Sequence, residues 1–360
     1  MTKRAMTCLL VSAFLSFSSK VFAPAVQETL LSDSENAYSP VPSPDGTMIA
    51  YVCTDPPEDG IVVWGGRSSV RSQVKVMTSK GQLITSRPLA DTFLSGWTLD
   101  GRALVCYRDW RYYVVSLDGR ILLEGQTPES KANHQRAERV SFLSHQGTPV
   151  WIENDSSGCR IQTPDGTLAA REGGPFGQFA IPSTDERYIA VSGGDRLWIY
   201  DTQEGSWADL GEIVIHPGYS DWHYVQPSWD PWFRDSRHVV FVSSSALVVS
   251  SPDGRDRQVL TQIPGQAGLA APSPDGRLLA YVTFQGRARE LRPDLTFFGD
   301  TTVWVIPNMP GSKAFAVSEK NKDTTYAMAW LSNHEIVFDR LSDDLEWHRR
   351  ARLWKVRVAP

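Results

Sequence analysis

The stretch Ala271-Pro272-Ser273-Pro274-Asp275-Gly276-Arg277-Leu278-Leu279-Ala280-Tyr281-Val282 has a near-twin far upstream, Val41-Pro42-Ser43-Pro44-Asp45-Gly46-Thr47-Met48-Ile49-Ala50-Tyr51-Val52. Each copy reads as a strand end, a tight turn and an apolar strand. Proline presets its own φ, aspartate accepts turn amides, and glycine supplies a positive φ. The apolar run that follows suits a buried strand. A repeated unit of this kind governs the fold of the whole chain.

Two families of turn alternate along the sequence. The first comprises Asp45-Gly46, Asp100-Gly101, Gln146-Gly147, Asp185-Glu186, Asp235-Ser236, Asp275-Gly276 and Asn333-His334, recurring about every 48 residues. The second comprises Lys80-Gly81, Asp118-Gly119, Asp165-Gly166, Glu204-Gly205, Asp253-Gly254 and Pro310-Gly311. Units of roughly 40–50 residues with two turns each match four-stranded propeller blades. The first family then joins the innermost strand to the second, and the other joins the third to the fourth.

The Ser-Pro-Asp-Gly-x-x-Ile/Leu-Ala-Tyr-Val pattern resembles the repeat of TolB-type β-propellers, bacterial relatives of the WD-repeat propellers. The resemblance implies an all-β chain, with residues 26–360 forming a single β-propeller. The turns count seven four-stranded blades; six is the alternative, since TolB-type propellers are often six-bladed. The seventh unit lacks a fourth strand, and Val26-Gln27-Glu28-Thr29-Leu30-Leu31 is the candidate to supply it. An N-terminal strand completing the last blade closes the ring and removes a free sheet edge. The small α/β domain that precedes the propeller of TolB-type proteins has no counterpart here, so their partner role is not carried over.

Residues 1–25 read as a signal peptide. Lys3 and Arg4 precede the apolar run from Cys8 to Phe17, and Ala23-Pro24-Ala25 offers a cleavage site, with Val21-Phe22-Ala23 a second one. The expectation is a periplasmic or secreted protein without a transmembrane segment in the mature chain, and a monomer. Removing Lys3, Arg4 and Lys20 moves the net charge from −5 to −8, which argues against a nucleic-acid partner. Cys53, Cys106 and Cys159 fall in separate candidate blades and read as buried thiols.

Motifs for chemistry are few. The sequence contains no GxGxxG, P-loop, CxxC or GxSxG pattern. The turn aspartates recur with the repeat and so read as turn caps. Loop length is more informative: the second-to-third connections of blades one, six and seven are long, spanning 54–71, 285–300 and 339–350. In a closed ring of seven these blades are consecutive, and long loops on a rigid scaffold are where function concentrates. Candidate ligand-binding residues there are Trp64, Arg67, Arg71, Arg287, Arg289, Arg292, Trp347, His348 and Arg350. A second dense stretch, 216–232, joins blades four and five and enters the central channel along the inner strand. It contributes His216, Tyr219, Asp221, Trp222 and His223, followed by Trp229, Asp230 and Trp232. His216 and His223 make a poor metal signature, and neither a cofactor nor a metal is expected.

Two functions fit this pattern. One is an exported, non-enzymatic propeller that binds a protein or an envelope polysaccharide through its long-loop face. The other is a carbohydrate-active lyase or hydrolase with its site at the channel mouth. Some seven-bladed propellers that this chain resembles use channel histidines and a metal, and that His cluster is not recognisable here.

Overall fold

The computed structural model describes residues 27–32, 36–54, 72–85, 89–108, 111–126, 140–155, 158–172, 179–193, 195–215, 229–285, 288–292, 295–298, 300–319, 325, 327–341 and 351–358. The anticipated signal peptide and its cleavage site lie outside them.

The chain opens with β1 (Glu28–Leu30) and then builds one blade after another. Blade one is β2 (Asn36–Pro42), β3 (Met48–Thr54), β4 (Ser72–Thr78) and β5 (Leu89–Ala90). Blade two is β6 (Phe93–Trp97), β7 (Ala103–Arg108), β8 (Arg111–Ser116) and β9 (Ile121–Gln126). Blade three is β10 (Phe142–Leu143), β11 (Pro149–Asp155), β12 (Gly158–Thr163) and β13 (Gly166–Glu172). Blade four is β14 (Phe179–Pro182), β15 (Tyr188–Gly193), β16 (Arg196–Asp201) and β17 (Ser206–Glu212). In blade five, β18 (Val239–Ser243), β19 (Ala246–Ser250) and β20 (Arg257–Gln262) form the sheet, and a bridge from Trp232 to Val239 supplies its inner edge.

Blade six is β21 (Gln266–Pro272), β22 (Leu278–Phe284), β25 (Thr301–Pro307) and β26 (Phe315–Ala316), with the hairpin β23 (Ala288–Arg292) and β24 (Leu295–Phe298) inserted between its second and third strands. The sequence pointed to a plain loop there. Blade seven is β27 (Met328–Ser332), β28 (Glu335–Leu341) and β29 (Ala351–Arg357), with β1 as its fourth strand. The protein is thus an all-β, seven-bladed propeller; the six-bladed alternative is excluded.

The closure matches the expected one. Glu28 pairs with Val356, Thr29 with Lys355 and Leu30 with Trp354, and the Leu31 amide donates to the Leu353 carbonyl at 2.9 Å. Burial falls from the axis outward: β21 is buried along nearly its whole length, whereas β9 and β20 are largely exposed. One continuous apolar core runs between the sheets of blades four to seven, from Leu197 and Ile199 through Phe241, Val282 and Val305 to Phe338 and Val356. Cys53, Cys106 and Cys159 are buried thiols on blades one, two and three, and burial pushes the Cys106 thiol up to about 12.

Both turn families take the conformation their residues require. Gly46, Gly101, Gly147 and Gly276 have φ between 68° and 78°, and Glu186 and Ser236 fill the same place at 56° and 57°. The turn aspartates are caps. The Asp45 carboxylate accepts from the Ser43 hydroxyl at 2.6 Å and the Thr47 amide at 3.0 Å. The pattern repeats at Thr98/Asp100/Arg102, Ser183/Asp185/Arg187, Ser251/Asp253/Arg255 and Ser273/Asp275/Arg277. The Ser43 hydroxyl, followed by the Thr47 amide, holds the Asp45 carboxyl below its ordinary value of 3.8.

Candidate functional site: the axial channel and the long-loop sector

Three residues before each first-family turn, the inner strands carry Pro42, Trp97, Leu143, Pro182, Trp232, Pro272 and Trp330. Each of these tryptophans donates its indole N–H to the carbonyl just before the proline of the preceding blade. Trp97 reaches Val41 at 2.8 Å, Trp232 reaches Ile181 at 2.9 Å, and Trp330 reaches Ala271 at 3.0 Å. Proline has no ladder N–H to offer and suits the channel-facing edge of a sheet. The indole bond satisfies the carbonyl beside it. A further tryptophan works in the other direction, Trp229 donating to Ala270 of blade six at 3.0 Å.

Inside this collar lies a channel cavity of about 420 Å³ to which all seven blades contribute, on the side of the tight turns. Its titratable lining residues are His145, Asp230 and Arg234. Asp230 sits in the lumen, where water reaches it, yet protein surrounds it from every blade. That enclosure raises its carboxyl to about 6, against the opposing pull of the Trp232 amide and the Arg234 charge. Oδ1 accepts the Trp232 amide at 3.0 Å. Arg234 extends from the blade-five turn and donates Nη2 to the Pro44 carbonyl of blade one at 3.0 Å. Blades six and seven stand between those two, so the side chain spans the mouth. His145 donates through Nε2 to the Thr184 carbonyl at 3.2 Å.

On the opposite face, ring closure makes blades six, seven and one neighbours. The Asp339 carboxylate of blade seven accepts the buried Ser39 amide of blade one at 3.1 Å and the Ala327 amide at 2.8 Å. Beside it, Arg340 grips Glu28 of β1 with two donors, Nη1 lying 2.7 Å from Oε2. Both side chains are buried, at 5% and 9% exposure. The Arg340 guanidinium also lies 5.0 Å from the ring centres of Phe338 and Trp354, and Glu28 accepts the Glu319 amide of blade six at 2.8 Å. This clasp sits at the root of the blade-seven long loop.

Of the ligand residues anticipated from sequence, Arg289 and Arg292 lie on β23, opposite Phe297 and Leu295 of β24. Trp64, Arg67, Arg71, His216, Tyr219, Asp221, Trp222, His223, Arg287, Trp347, His348 and Arg350 lie outside the described residues. Trp229, Asp230 and Trp232, at the end of the same dense stretch, do line the channel. Sequence reasoning missed the clasp and the Pro/Trp pairing of the inner strands. The latter was visible as a fixed offset of three residues before each turn.

Among the described residues, no cluster of three or more His, Cys, Asp or Glu side chains is arranged to hold a metal ion. No helix among the described residues is long and apolar enough to cross a membrane.

With this geometry in view, the chain is similar to several solved structures. The tricorn protease matches with 11% identity and a TM-score of 0.47 over 85% of this chain, which spans only 36% of the protease. A putative TolB from Agrobacterium tumefaciens matches with 15% identity and a TM-score of 0.42, over 78% of this chain and 94% of that one. The β-propeller domain of Cps50 (Swd1) from Myceliophteria thermophila matches with 12% identity and a TM-score of 0.50, over 91% and 99%. The likeness is one of fold. No protein-family model and no curated protein sequence matches the chain.

Proposed function

We propose that the protein is an exported, non-enzymatic propeller that binds a protein or envelope polysaccharide through its long-loop face. The observation that carries this reading is the closure of blade seven by β1, which sets blades six, seven and one side by side. The three long connections, 54–71, 285–300 and 339–350, are thereby rooted in neighbouring blades, and Arg289 and Arg292 belong to the blade-six connection. Arginine and aromatic side chains are the usual anchors of such surfaces. The turn carboxylates support a binding role rather than catalysis, since they are engaged as caps.

The test compares two variant sets for capture of partners from cell-envelope extract, with melting curves as a folding control. Truncating Arg289, Arg292, Trp347 and Arg350 to alanine is expected to weaken capture without changing the melt. Truncating Lys80, Arg102 and Arg255 on the tight-turn face is expected to leave capture intact. If the second set abolishes capture and the first does not, the binding face is the wrong one.

A further inference from the structure

The channel cavity holds two opposite charges that do not pair with each other. Among the described residues, no cation lies within ion-pair distance of the Asp230 carboxylate, and Arg234 has no carboxylate partner. Asp230 lines the cavity and accepts the Trp232 amide through Oδ1. Arg234 commits Nη2 to Pro44, and a guanidinium has five N–H donors in all. The remaining wall is neutral apart from His145. It includes Trp97, Trp229, Trp232 and Trp330, apolar side chains such as Leu99 and Phe142, the inner-strand prolines, and serines whose hydroxyls serve the turns or the neighbouring blade.

A carboxylate in a protein-walled lumen whose nearest guanidinium lies beyond ion-pair distance is held by that charge only weakly, and a ligand that brings a positive charge to it stabilises the ionised form. Indole faces attract the same cation. Arg234, at the mouth, repels a simple cation but offers its forked donors to a carboxylate. A cavity of about 420 Å³ falls within the range of small-molecule sites. We propose that the axial channel binds a small zwitterion of the amino-acid class, its ammonium group against Asp230 and the indole walls and its carboxylate on Arg234. This site is on the tight-turn side of the ring and does not depend on the long-loop face.

The test is calorimetric titration of the full chain with a series of ω-amino acids from glycine to 6-aminohexanoate. Alkylammonium and alkylcarboxylate ions of matched length serve as controls. At pH 7.5 at least one zwitterion is expected to bind more tightly than both of its controls. Asp230→Asn should lower that affinity about 30-fold or more, and Arg234→Gln should erase the preference for the zwitterion over the alkylammonium.

The Asp230 carboxyl titrates at about 6 in the fold and ordinarily at 3.8. Its raised value makes the ionised form a burden above that range, so Asp230→Asn is expected to raise the melting temperature at pH 7.5 and leave it unchanged at pH 4. Binding to the parent protein should fade as the pH falls through about 6. His145→Gln should keep that profile, which assigns it to Asp230 rather than to the imidazole. The parent pH profile also serves should Asp230→Asn fail to fold. Three results overturn the proposal: no binding by any zwitterion of the series, affinity unchanged in Asp230→Asn, or affinity independent of pH between 5 and 7.5.

Discussion

Gly46 and Gly276 occupy equivalent turns with nearly equal φ, 70° and 68°, yet they have different neighbours. A Cβ on Gly276 meets the edge of the Phe233 ring at 3.0 Å, a side chain that needs to give by only a few tenths of an ångström. A Cβ on Gly46 meets the Leu331 carbonyl oxygen at 2.0 Å, which is backbone of the adjoining blade seven. Glu186 and Ser236 show that the left-handed conformation alone is tolerated at this position. Gly276→Ala is therefore expected to destabilise by about 1 kcal/mol, and Gly46→Ala by about 3 kcal/mol or more, measured by urea unfolding. Equal losses would mean that the blade-one/blade-seven approach is looser than the contact implies. The sequence showed both glycines as turn formers, because that requirement is local. It did not show the difference, because Leu331 is remote in the chain and becomes a neighbour only through closure. Asp230 was legible in a different way: its position on an inner strand could be read, but its displaced titration arises from seven strands converging on one lumen.

At the scale of elements, β1 has three residues and holds its place through more than the ladder. The ladder with β29 fixes its register, and the buried Glu28–Arg340 pair fixes its side. Removing one member strands the other charge in a buried setting, so Glu28→Ala is expected to destabilise by about 3–5 kcal/mol. The double variant Glu28→Ala/Arg340→Met should recover a large part of that loss, because the charge left behind is then gone. A double variant as unstable as the single one would show that the methylene packing of Arg340, not its charge, is what matters. Neither residue stood out in the sequence. Their partnership crosses 312 positions, and each looks like an ordinary surface charge in its own segment. The β23–β24 hairpin was hidden for another reason. Its strands are short, and the adjacent Arg289-Glu290 and Phe297-Phe298 break the polar/apolar alternation that marks a strand, so the sequence reads as loop.

For the whole molecule, the blade count and the closing strand were legible because each depends on turn spacing, which is periodic and local. The side-chain contacts across the seam were not, because Ser39, Asp339, Glu28 and Arg340 meet only once the ring has closed. Deleting residues 26–31 is expected to lower the melting temperature of the entire ring as one transition, since blade seven loses its fourth strand and the seam its clasp. An unchanged transition would remove β1 from the account of stability. The closure also imposes an order in time. At about 5–20 residues per second, a ribosome needs roughly 15–60 s to make the 312 positions that separate Glu28 from Arg340. The first strand of the fold to emerge is therefore the last to find its sheet. Until blade seven is made, it is an unsatisfied strand edge with a lone carboxylate.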